Sequence, residues 1–267
     1  MKTFKGKAIY NPSGKAGEYS YWACNFYNGC SNGCTYCYCK KGVLKKTIGG
    51  DAPTLKKCFK NEAHALEIFE KELKANLPEL QKHGLFFSFT TDPMLKGTIH
   101  LTQQAIYVCM KNKVPVKILT KRADFLENEN GVIADKKLNK NLIAIGLTLT
   151  GRDDIEPNAS TNDERIEAMR KLHEAGFKTW ASIEPTIDFV SSAKMIRATK
   201  GFCDLYKIGL MSGKKYDEWE ANKFAAWCVG FAEAKIYFKD SLLAQAGINR
   251  KDLPSNCVER DYNMFNG

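Results

Sequence analysis

Three cysteines fall within eight residues, in the run Cys30-Ser-Asn-Gly-Cys34-Thr-Tyr-Cys37, a C-x3-C-x2-C spacing that puts three thiols on one short loop. Thiolates this close can wrap one corner of an iron–sulfur cubane, and Gly29 and Gly33 give the loop the backbone freedom a tight wrap requires. Three ligands for four irons leave one iron open, and an open coordination position marks a metal centre at which a substrate or cofactor can bind. Structural zinc, completed by Cys24, Cys39 or a histidine, is the competing chemistry. Zinc sites usually pair their ligands as two C-x2–4-C or H-x3–5-H units, and no second pair of that kind exists here. Cys39 lies two residues past Cys37. The others, Cys58, Cys109, Cys203, Cys228 and Cys257, are scattered and mostly flanked by apolar residues, as buried small hydrophobes would be.

The loop follows directly on an apolar run, Tyr19–Tyr27, the first of seven strand-like segments. The others are Leu85–Thr90, Val116–Thr120, Leu142–Thr150, Lys178–Glu184, Asp204–Leu210 and Lys235–Phe238, each short and rich in strand formers. Helix-period segments separate most of them: Glu62–Leu80, Leu101–Lys111, Thr161–Ala175, Ser191–Thr199 and Lys215–Ala232. In the third, Ile166, Met169, Arg170 and Leu172 form a stripe, Asp163 and Glu164 sit at the start, and Gly176 ends it. Asp163 and Ser192 are the near-cap residues this pattern predicts. Repeated strand–helix units imply an α/β fold with a parallel sheet and right-handed crossovers, wound flat or curled into all or part of a barrel. In either form ligands gather at the carboxyl ends of the strands.

The chain has 267 residues, 44% of them hydrophobic and 26% charged, with 20 Gly and 8 Pro. That composition excludes disordered, collagenous and membrane classes. No repeat or linker marks a boundary, so residues 1–267 are expected to form one domain. No apolar stretch approaches the roughly 18–20 residues that span a bilayer, and the start lacks a signal-peptide core, so no membrane association and a cytoplasmic location are expected. A reducing compartment also favours metal ligation over disulfides for ten unevenly spaced cysteines. The net charge of +10 favours anionic partners, nucleic acid among them, if it clusters, and otherwise a solvated lysine-rich surface.

The triplet, with an aromatic before its last cysteine, resembles the signature of the radical S-adenosylmethionine (SAM) superfamily. Further along, Asn25-Phe-Tyr-Asn-Gly-Cys30 through Cys37-Tyr38, Thr90-Thr91-Asp92-Pro93, Ile118-Leu-Thr120-Lys121, Gly146-Leu-Thr148, and Arg165-Ile-Glu-Ala-Met-Arg170 with Glu174-Ala-Gly176 look like successive landmarks of its spore photoproduct lyase-like branch. They follow the expected order over roughly residues 19–210. The resemblance implies a partial (β/α)6 barrel with its core at about 19–238 and a short C-terminal extension over 239–267. It also implies a [4Fe–4S] cluster held by Cys30, Cys34 and Cys37, whose open iron is chelated by SAM, and an electron donor such as flavodoxin or ferredoxin.

Carried over position by position, Thr91 and Asp92 match the segment that meets the amino group of SAM, Lys121 the lysine near its carboxylate, and Thr148 the position that contacts its ribose. Tyr36 and Tyr38 flank the last cysteine, where packing over the cluster and relay of hydrogen atoms are the two roles open to them. Glu184, a carboxylate among apolar residues, needs a partner if buried. Contact with SAM or substrate, or a salt bridge to Lys207 on the next strand, would provide one, and Lys239-Asp240 invites similar pairing. No histidine has ligand spacing. The chain departs from the lyase at Phe89, which stands where the lyase carries a hydrogen-donor cysteine, so the lyase substrate is not carried over unless Cys39, Cys58 or a tyrosine substitutes in space. The expected function is reductive SAM cleavage and hydrogen abstraction from an unidentified substrate, nucleic acid being one class it could take. The rival is a zinc-stabilised basic nucleic-acid-binding protein without catalysis.

Overall fold

The computed structural model describes residues 3–127, 138–231 and 233–266. In chain order its strands are β1 (Ile9–Tyr10), β2 (Ala23–Cys24), β3 (Tyr27–Asn28), β4 (Thr54–Leu55), β5 (Leu85–Phe87), β6 (Val116–Thr120), β7 (Ile143–Thr148), β8 (Lys178–Thr186), β9 (Leu205–Leu210) and β10 (Lys235–Phe238). The α-helices are α1 (Lys45–Ile48), α2 (Glu62–Ala75), α3 (Leu77–His83), α4 (Ile99–Lys111), α5 (Asn162–Glu174), α6 (Phe189–Thr199), α7 (Glu218–Phe231) and α8 (Asp240–Gln245). One eight-stranded sheet runs β1-β2-β5-β6-β7-β8-β9-β10, and β3 and β4 form a separate antiparallel pair. From β2 onward every neighbour in the large sheet is parallel, and β1 lies antiparallel at the edge. The six strands β2 and β5 to β9 are therefore the consecutive parallel series of the expected α/β partial barrel, and β10 extends it by a seventh.

Three local expectations need correction. The run Tyr19–Tyr27 is two short strands, because Asn25 leaves the sheet: its backbone N–H reaches Ala8, and its side chain accepts from Phe89 N–H and donates to the Tyr10 hydroxyl. The helix over Glu62–Leu80 breaks at Asn76, where Pro78 lacks the N–H that a continuous helix would need and the Asn76 amide caps Glu72 O at 2.8 Å. The caps of α5 and α6 are Thr161, in a reciprocal capping box with Glu164, and Asp188, not Asp163 and Ser192.

Strand alternation divides the core into two layers. Ile118, Ile145, Ile183, Ile208 and Phe238 pack in the large cluster shared with the helices, while Phe86, Ala144, Trp180, Leu205 and Tyr237 point to the other face with Tyr19 and Met264. Gly146 lies level with Trp180, and a Cβ there would come within 2.1 Å of the indole. Gly146→Ala is therefore expected to cost about 1–3 kcal/mol by overpacking, seen as a lower denaturant midpoint with unchanged m-value. The C-terminal extension runs along β10 through an Ile236–Cys257 bridge. It places Tyr262 and Met264 beside Lys117 and Leu205, at the amino ends of the strands. It thus plugs the end of the sheet interior remote from the strand carboxyl ends.

Candidate functional site

At the carboxyl ends of the strands lies a cavity of about 440 Å³. That volume suits a small-molecule ligand or cofactor. The loop after β3 brings Cys30, Cys34 and Cys37 to its wall. Backbone hydrogen bonds from Gly29 to Ile48 O (3.1 Å) and from Cys30 to Gly50 O (3.0 Å) fix the loop's start. Gly29 (φ +83°) could not be replaced there: a Cβ would meet Ala52 O at 2.3 Å. Burial, aided by Asp92, pushes the Cys30 thiol up to about 11, and burial also raises Cys34. Cys37 goes the other way, lowered chiefly by the neighbouring Cys39 thiol. Among the described residues, no three His, Cys, Asp or Glu side chains converge on a ready-made site for one metal ion.

Asp92 ties the cysteine loop to the sheet. One carboxylate oxygen accepts from Thr120 Oγ1 (2.6 Å) and Met94 N (3.0 Å), the other from Asn32 Nδ2 (2.8 Å) and Lys121 N (2.8 Å). The residue expected to receive an ammonium is thus already engaged by four protein donors. Two other polar atoms remain unpartnered and buried in the cavity wall, Thr91 Oγ1 and Asn32 Oδ1. Asp92→Asn puts an amide N–H against one of these donors and is expected to cost about 1.5–3 kcal/mol, measurable as reduced stability to denaturant before any cofactor is added.

On the β7 side, Glu156 and Arg165 form an ion pair at 2.6 Å, both side chains fully buried. The Glu156 carboxylate also accepts from Thr150 Oγ1 (3.0 Å) and from the Tyr36 hydroxyl, and Arg165 donates to Thr148 O at 2.6 Å. Lys121 Nζ lies 3.9 Å from Glu156 and 5.6 Å from the Tyr36 ring centroid. Burial works against the Lys121 charge, but Cys34 and Glu156 outweigh it and hold the ammonium above its ordinary range. Thr148 lines the same wall. Tyr38 donates to Phe89 O, and Phe89 stacks on Phe86 with centroids 4.5 Å apart.

Across the cavity, Glu184 accepts from Tyr19 (2.5 Å) and from the buried ammonium of Lys239 (2.7 Å). Its ionic partner is therefore Lys239, not Lys207, whose Nζ turns to the carbonyls of Glu18 and Tyr19 at 2.9 and 3.0 Å. Burial raises the Tyr19 and Tyr36 phenols well above their ordinary range, so both stay protonated and donate to carboxylates. Of the stand-ins for the missing thiol, Cys39 lines the cavity with Sγ 3.7 Å from Phe89 O, whereas Cys58 is exposed and off the wall.

All ten residues singled out from the sequence, the three cysteines, Tyr36, Tyr38, Thr91, Asp92, Lys121, Thr148 and Glu184, line this one cavity. Sequence reasoning missed Asn32, Glu156 and Tyr19 and gave Arg165 no role. Asn32 carried a local signal by lying inside the cysteine triplet, and Arg165 by opening one of the family landmarks.

The Radical SAM superfamily pattern matches residues 24–187. The chain belongs to the radical SAM superfamily. Membership supports an enzyme that uses SAM for radical chemistry. An uncharacterised protein of Methanocaldococcus jannaschii is 27% identical over 233 residues, 81% of this chain and 79% of that protein. Among solved structures, spore photoproduct lyase complexed with dinucleoside spore photoproduct aligns at TM-score 0.54 and 18% identity, over 74% of this chain and 58% of that one. Streptococcus suis SuiB bound to its precursor peptide SuiA aligns at 0.51 and 13%, over 72% and 46%. This chain thus spans roughly half of either solved enzyme, and at these identities the likeness is one of fold. The donor set of the cavity suits the family's cofactors: three thiols line it, and so do the unpartnered Thr91 and Asn32 oxygens. Among the described residues no helix is long and apolar enough to cross a membrane.

Proposed function

We propose that Cys30, Cys34 and Cys37 hold a [4Fe–4S] cluster by three of its irons and that the adjoining cavity takes SAM and the substrate. When bound, the reduced cluster would supply one electron to the SAM sulfonium, and the cleavage would give methionine and a 5′-deoxyadenosyl radical able to take a hydrogen atom from the substrate. The chain's residues bind and orient. Thr91 Oγ1 and Asn32 Oδ1 offer acceptors to the SAM ammonium. The Lys121 ammonium suits the SAM carboxylate, Thr148 suits the ribose, and Asp92 holds the cysteine loop, β5 and β6 in one arrangement. Glu184, fixed by Tyr19 and Lys239, presents its carboxylate to the substrate side, and Tyr36 and Tyr38 pack beside the cysteines.

The observation that carries this reading is the lining of one cavity by three thiols and two orphaned, buried oxygens. The net charge of +10 favours an anionic substrate such as nucleic acid, whose binding would weaken steeply with salt through counterion release. Ten free cysteines suit the reducing cytoplasm. Anaerobic reconstitution with iron and sulfide tests the reading. A brown protein that forms 5′-deoxyadenosine from SAM with dithionite is the expected result. A reconstituted protein that forms none overturns it, and about one equivalent of zinc in a colourless protein favours the non-catalytic nucleic-acid binder instead.

A further inference from the structure

We propose that the exposed segment 41–47 is the docking surface for an acidic electron-carrier protein, an inference that rests on the radical SAM reading and deepens it. Every residue from Lys41 to Thr47 is exposed. At its tip Val43 is 84% exposed and Leu44 44%. The surrounding stretch from Tyr38 to Asp51 holds four lysines and a single acid, Asp51, which pairs with Lys40 at 2.5 Å. Among the described residues Lys41, Lys45 and Lys46 make no ion pair. Isolated exposed aliphatics mean little, but Val43 and Leu44 are adjacent and rimmed by lysines, an apolar centre that a partner could cover.

Position supplies the use. Lys41 lies four residues beyond Cys37, at most about 14 Å along an extended backbone. At the other end, Ile48 O and Gly50 O accept from Gly29 and Cys30. The segment is thus tied to the cysteine loop on both sides, and a protein seated on it would stand next to the cluster. The step it serves balances simply: one electron leaves the carrier, which is oxidised, and enters the cluster, which is reduced, with no bond or proton exchanged. An apolar centre within a charged rim is the anatomy of a protein interface, and a patch of this size suits the small, short-lived contacts of redox partners. Nucleic acid would use the lysines and leave Val43 and Leu44 in water. A carrier bearing carboxylates around an apolar centre satisfies both, and charge complementarity would speed the encounter.

The test uses full-length chain reconstituted anaerobically, reduced bacterial flavodoxin as the probe, and two variants, Lys45→Glu/Lys46→Glu and Val43→Asp. Binding of flavodoxin, followed by thermophoresis, should weaken about ten-fold or more in the double variant, and wild-type affinity should fall with added salt. SAM cleavage should fall likewise with flavodoxin as electron source and stay unchanged with dithionite. Unchanged flavodoxin affinity in both variants overturns the proposal. So does loss of affinity for a fluorescent single-stranded oligonucleotide with flavodoxin binding intact, which reassigns the segment to nucleic acid. If dithionite fails to drive SAM cleavage in wild type, the catalytic reading fails separately, and the binding titration still decides the docking surface.

Discussion

Serine in place of Cys30, Cys34 or Cys37, one at a time, will leave a chain that retains under about one iron after anaerobic reconstitution, against about four in wild type. SAM cleavage will drop to background in all three. The ligand is the thiolate, and a serine hydroxyl remains protonated at any pH the protein tolerates. The loop offers no substitute: its start is pinned by Gly29 and Cys30 to Ile48 and Gly50, and its middle by Asn32 to Asp92. Cys39→Ser is the informative control, because Cys39 lines the same cavity and lies two residues past Cys37. It should keep its iron and its brown absorbance, as should Cys58→Ser on the exposed surface. If Cys39→Ser loses iron as completely as the other three, the cluster has four protein ligands and the open iron on which SAM chemistry depends is absent.

The parts of this site legible in the sequence were those whose chemistry is local. Three cysteines in eight residues announce themselves by spacing, whereas Thr91, Lys121 and Thr148 were reached through the family resemblance, which matched them to cofactor-binding positions. Partner choice was not legible, because it depends on register and on what lies past a strand end. For Glu184 a salt bridge to Lys207 stood beside contact with SAM or substrate as an alternative. In the sheet, Lys207 stands level with Ser182, and the pairing becomes irregular between Ile183 and Thr186, so Glu184 rises past it. There it meets Lys239, beyond the end of β10, whose ammonium is buried among Tyr19, Glu18 and Glu184. Asp92 teaches the same lesson in reverse: it does line the cavity, but nothing in Thr-Thr-Asp-Pro announces that four donors, one from its own turn and three from two other segments, saturate it. The two-residue strands β1 and β4 were invisible for a simpler reason, since two residues carry no periodicity.

The buried pair Glu156–Arg165 carries the largest stability prediction. Arg165→Leu keeps much of the side-chain volume and removes the charge, leaving Glu156 with Thr150, Tyr36 and a lysine at 3.9 Å. Stranding a buried charge in this way costs about 3–5 kcal/mol, or roughly 6–20 °C in melting temperature for a chain of this size. The pH dependence identifies the cause. In wild type, burial raises the Glu156 carboxyl, but Lys121 and Arg165 together outweigh it and hold the group below the ordinary carboxylate range. Its stabilising contribution is therefore present above the unfolded pKa, about 4.3, and is lost as pH falls through the lower folded value. Without Arg165, burial gains the upper hand and the folded pKa rises, so protonation relieves the variant where it harms wild type. The deficit of Arg165→Leu should be greatest near pH 7.5 and shrink toward pH 5, and adding Glu156→Gln should recover part of it at neutral pH. A deficit that is flat with pH, and unmoved by Glu156→Gln, would mean that the loss comes from the Arg165 bonds to Thr148 O and Thr161 O rather than from the stranded carboxylate.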